Sequence, residues 1–65
     1  MSMTTTGAQA NGLAAARAET RGDQERANQL WRAVDRETKR LRQRGKDQQA
    51  DALVTAFRRG HGGAR

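Results

Sequence analysis

The stretch RGDQERANQLW, residues 21–31, returns in altered form as RGKDQQADALV, residues 44–54. Extending both copies by three residues aligns Ala27, Leu30, Trp31 and Val34 with Ala50, Leu53, Val54 and Phe57. Each set has the spacing i, i+3, i+4, i+7, which is one face of an α-helix. The copies therefore read as two amphipathic helices in the same register. A glycine, Gly45, lies between them and turns the second back along the first. The doubled stretch thus predicts a helical hairpin, and the fold class is all-α. Its period, 23 residues from Arg21 to Arg44, does not match the 34 of a tetratricopeptide repeat.

Boundaries follow from capping chemistry. Residues 24–43 contain neither proline nor glycine. Asp23 can cap this segment, Glu25 sits at the positive end of its dipole, and Arg42 and Arg44 sit at the negative end. Asp47 restarts the chain as a helix over residues 47–59, again with Arg58 and Arg59 at its C-terminal end. Upstream, Asn11 can cap a short alanine-rich helix over residues 12–21, with Gly22 at the position where helices commonly end in a left-handed residue. Residues 1–11 have a threonine run and no apolar period, and residues 60–65 are glycine-rich; both read as flexible tails.

A chain of 65 residues makes one domain at most, and a core this small supplies only about 3–5 kcal/mol. Leu13, Leu30, Trp31, Val34, Leu41, Leu53, Val54 and Phe57 make up most of its large apolar side chains, and there is no cysteine to add a disulfide. In a two-helix hairpin, helix 24–43 outruns its partner, leaving Ala27, Leu30 and Trp31 at or beyond the partner's end. The leading helix offers only Leu13 among alanines as cover. A second copy completing a four-helix bundle is therefore expected, with Leu30, Trp31, Val34, Leu41, Leu53, Val54 and Phe57 as the oligomer or partner interface.

The formal net charge is +6, which points toward nucleic acid or another anionic partner. Of the 13 basic residues, eleven are arginine, a usage also typical of high-GC coding sequences. On a helical wheel, Ala27, Leu30, Trp31, Val34, Thr38 and Leu41 fill an arc of about 100°. Arg26, Arg32, Arg36, Lys39, Arg40 and Arg44 fall outside it. Asp35 and Glu37 are placed to pair with Lys39 at i+4 and Arg40 at i+3. From Arg36 to Lys46, six basic residues face one acid, too many for local neutralisation, and guanidinium forks suit phosphate oxygens. Arg26, Arg32, Arg36, Lys39, Arg40 and Arg44 are the candidate site for nucleic-acid backbone or for an acidic protein.

Other functions find less support. A helix-turn-helix reader needs a short helix before its turn, and residues 48, 51, 52 and 55 present a nearly neutral outer surface. The sequence places no aromatic residue on the basic face to stack unpaired bases. The apolar arc is narrow for a membrane-surface helix, and no stretch could span a bilayer. His61 is the only histidine and falls in the predicted tail; no nucleophile–base set, metal-ligand cluster or phosphate-cradling glycine loop is present. The expectation is a non-enzymatic, cofactor-free, cytoplasmic accessory protein that binds nucleic-acid backbone, with docking on an acidic protein as the rival role.

Overall fold

A computed structural model describes residues 3–63 as three α-helices: α1 (Thr5–Thr20), α2 (Gln24–Gln43) and α3 (Asp47–Gly62). They form a compact body of 37 × 20 × 16 Å. α1 packs most extensively against α3 and also against α2.

The leading Arg-Gly of each copy proves to be a helix terminator. Gly22 and Gly45 adopt φ of 80° and 75°, in the left-handed region open to glycine. The amide of Gly22 donates to the carbonyl of Glu19 (3.0 Å) and that of Asp23 to Ala18 (2.8 Å). One copy later, Gly45 donates to Arg42 (3.0 Å) and Lys46 to Leu41 (2.9 Å). Both turns are Schellman motifs, which satisfy the last carbonyls of the preceding helix while reversing the chain. The repeat thus encodes a turn followed by an amphipathic helix, twice.

The start of α2 follows its sequence: Asp23 Oδ1 accepts from the Arg26 amide at 3.1 Å. α3 starts at residue 47 as predicted, but Asp47 is not its cap. Lys46 is the N-cap and makes no side-chain cap, whereas Asp47 is the first helical residue. It acts there through its charge near the positive end of the helix dipole rather than as a cap.

The largest departure concerns both expected tails. α1 begins at Thr5, seven residues before the predicted Gly12, and Asn11 lies inside it instead of capping it. The cap is Thr4, whose Oγ1 accepts from the Gly7 amide at 3.0 Å. At the other end, α3 runs through Gly60 and His61 to Gly62 instead of stopping at Arg59. Intrinsic propensity disfavours helix at both places, so packing must supply the stabilisation. It does so through small residues. Ala8, Gly12, Ala15 and Ala18 line the buried side of α1, and Gly60 is buried on α3. A β-carbon built on Gly12 would lie 1.9 Å from the Phe57 carbonyl oxygen, and one on Gly60 1.9 Å from that of Gln9. The two backbones touch, and only glycine at the crossing permits it. Residues 1, 2, 64 and 65, the outer ends of the expected tails, lie outside the described residues.

This crossing brings α1 over the apolar side of α2 and α3. The buried cluster contains Ala8, Ala15, Leu30, Val34, Leu53 and Phe57, with Met3, Ala14, Leu41 and Ala56 packed against it. Phe57 has no exposed surface and Leu30 only 7 %. The cover that a two-helix hairpin would require from a second chain is supplied for both by α1. Leu13 does not take part: it is half-buried on the outer side of α1, lining a shallow depression with Arg59 and Gly60. Among the described residues, Trp31 is the large apolar side chain left exposed, at 36 %. Its ring lies 4.6 Å from Phe57, and the added turn of α3 brings His61 to 5.2 Å, centroid to centroid.

Candidate nucleic-acid interface

α2 has no glycine, is capped at its N-terminus by Asp23, and packs one side on α1 and α3. Its other sides carry the candidate cations. Arg26, Arg32, Arg36, Lys39, Arg40 and Arg44 are all exposed. Arg32, Arg36, Arg40 and Arg44 form an i, i+4 row, stepping about 6 Å along the axis at each residue. The full row covers about 18 Å of α2.

The ion pairs among the described residues leave most of this row unneutralised. Glu37 Oε2 lies 3.7 Å from Arg40, as its i, i+3 spacing predicts. The Asp35–Lys39 pair does not form. Arg42 instead pairs with Asp51 of α3 at 3.2 Å, and Glu19 of α1 lies 2.6 Å from His61 Nε2. Arg26, Arg32, Arg36, Lys39 and Arg44 have no ion-pair partner among the described residues. Glu37 is 9 % exposed and turned inward, where Oε1 accepts from the Met3 amide at 3.3 Å. The one acid between Arg36 and Lys46 is therefore withdrawn from the outer face by the start of α1.

The six candidate cations do not form a single patch. Arg32 and Arg36 stand on the outermost part of α2. Arg40 and Arg44 join Lys46 around a cavity of about 240 Å³ walled by Met3, Leu41 and Leu53. Lys39 joins Arg42 and Arg58 along the groove between α2 and α3. Arg26 lies with Arg17 and Arg21 at the opposite end of the bundle, beside Leu13. The sequence reading misses Arg17, Arg21, Lys46 and Arg58, which belong to other elements and meet α2 only in three dimensions. The Arg36–Lys46 charge run does include Lys46, but the turn at Gly45 determines that it faces Arg40 and Arg44.

The predicted interface residues also divide. Leu30, Val34, Leu53 and Phe57 are buried within the chain, Leu41 and Val54 are half-buried, and Trp31 is open. The latter lines the α2–α3 groove together with Lys39. His61 is held in α3 by Glu19 and Trp31 rather than loose in a tail.

No group of three or more potential metal ligands occurs among the described residues, and no described helix is long and apolar enough to cross a membrane. No family model, curated protein or solved structure matches the chain.

Proposed function

We propose that this is a small non-enzymatic accessory protein that holds nucleic-acid backbone along the outer face of α2, as a regulator or assembly factor would. The observation that carries this reading is the set of arginines and one lysine on α2 without acidic partners. An outer helix face that served only to keep the bundle hydrated would be laced with i, i+4 ion pairs. Here Glu37 is buried and reaches only Arg40, and Asp35 pairs with none of the row. An unneutralised row meets its counter-charge on a polyanion, and phosphate oxygens match the guanidinium fork.

Backbone contact, rather than base reading, suits the rest of the surface. Gln48, Asp51, Ala52 and Thr55, on the outside of α3, are exposed and carry little donor pattern for a groove edge. The test is binding of an arbitrary-sequence DNA duplex and an RNA across a salt series. A log–log slope of about −4, from four or five phosphates at about −0.9 each, with little dependence on sequence, is the expected result. No binding near 0.1 M salt would transfer the role of this face to an acidic protein partner.

A further inference from the structure

The groove between α2 and α3, flanking the arginine row, has a floor of Trp31, Val34 and Val54 and a rim of Lys39, Arg42 and Arg58. Its volume is about 330 Å³. From Trp31 to Arg42 it follows eleven residues of α2, about 17 Å or three helical turns. We propose that this groove is a docking site for an acidic amphipathic helix of another protein, lying parallel to α2 and α3 as a fourth helix of the bundle.

Two observations select that occupant. The first is apolar area that the chain itself does not cover: Trp31 is 36 % exposed although its neighbours Phe57 and Leu30 are buried. An exposed tryptophan beside the half-buried Val54 in a groove is the kind of anchor on which interfaces concentrate their binding energy. The second is charge. Three cations face one carboxylate, Asp35, across the groove. Arg42 already bonds Asp51 at 3.2 Å, whereas Lys39 and Arg58 have no ion-pair partner among the described residues. A helix with leucine or phenylalanine at i, i+3, i+4 and i+7 and glutamates flanking them would fill the trough and meet both free cations.

A second copy of this chain fits poorly. Groove-to-groove pairing would bring Lys39 and Arg58 of one molecule against the same cations of the other, and each of the three helices carries at least as many basic residues as acidic ones. The inference shares Lys39 with the phosphate reading but is separable from it, because Arg32 and Arg36 lie outside the groove and Arg58 lies outside α2.

The experiment titrates the full chain with a labelled three-turn peptide bearing an apolar i, i+3, i+4, i+7 face and glutamate flanks, reading peptide anisotropy and the emission of the single tryptophan. A second peptide carries lysine in place of each glutamate. The expected result is micromolar binding of the acidic peptide with a change in Trp31 emission, and binding at least 30-fold weaker for the basic peptide. Trp31→Ala should weaken the acidic peptide at least 10-fold. Arg58→Glu, an exposed change that leaves the core intact, should weaken it about 5-fold or more. Equal affinity for the two peptides, no binding of either, or an Arg58→Glu variant indistinguishable from the parent chain would overturn the proposal. So would an oligothymidylate that alters Trp31 emission where the acidic peptide does not, or a dimer in sedimentation equilibrium that hides Trp31.

Discussion

The backbone of Gly12 lies directly against the carbonyl of Phe57, so that a β-carbon at Gly12 would fall 1.9 Å from that oxygen. Replacing a helical glycine by alanine normally stabilises a helix by about 1 kcal/mol. At this crossing the sign reverses, because the obstructing atom is backbone and cannot rotate away. Gly12→Ala and Gly60→Ala should each destabilise the protein by about 1–3 kcal/mol or more. Gly62→Ala, with open space around it, serves as the control and should be neutral or slightly stabilising. Thermal melts followed by circular dichroism would show the difference as a loss of about 4–8 °C per kcal/mol for a domain of this size.

Removal of residues 1–11 should abolish cooperative folding. A flexible tail could be cut without effect, but this deletion takes away Ala8, which is fully buried, the Thr4 cap, and the Met3 amide that bonds Glu37. A truncated chain that still melted in one sharp transition would mean that α2 and α3 are stable as a pair.

Among the described residues, Phe57 is the one large side chain with no exposed surface, and it touches both the Gly12 crossing and Trp31. Phe57→Ala should cost about 3–5 kcal/mol, comparable to the whole stability of a domain this small. Chemical denaturation should find the variant largely unfolded without denaturant at 25 °C. A midpoint close to that of the parent chain would show the cavity to be energetically unimportant.

For the arginine row, Arg32→Ala combined with Arg36→Ala removes two exposed cations that no described acid engages. The log–log salt slope of nucleic-acid binding should fall in magnitude by about 2, uniformly across sequences. Helicity should be kept, since alanine is the better helix former. Arg42→Ala, by contrast, breaks a pair with Asp51 between exposed side chains and should change stability by no more than about 1 kcal/mol.

α2 was legible throughout. Its predicted span, residues 24–43, coincides with Gln24–Gln43, because every signal it uses is local: the Asp23 cap, an unbroken apolar period, and glycine at the left-handed position after its end. The Arg40–Glu37 contact is equally local. Even the glycine turns could be placed without coordinates, since the left-handed φ at Gly22 and Gly45 is a demand of the residue's own backbone and of hydrogen bonds reaching back at most five residues. The ends of α1 and α3 were not legible. Thr5, Thr6, Gly7 and Gly12 look like coil because they are poor helix formers on their own, and what makes their segment helical is burial of Ala8 in the core and the contact of Gln9 and Gly12 with Gly60 and Phe57, remote in sequence. For the same reason the Glu19–His61 bond, spanning 42 residues, and the meeting of Arg58 with Lys39 at one groove could not be read ahead of the fold. Local hydrogen bonding and side-chain periodicity determined that the chain would be helical and where it would turn. Van der Waals contact between two bare backbones, available only once α1 had crossed α3, decided which apolar residues were covered and left Trp31 open.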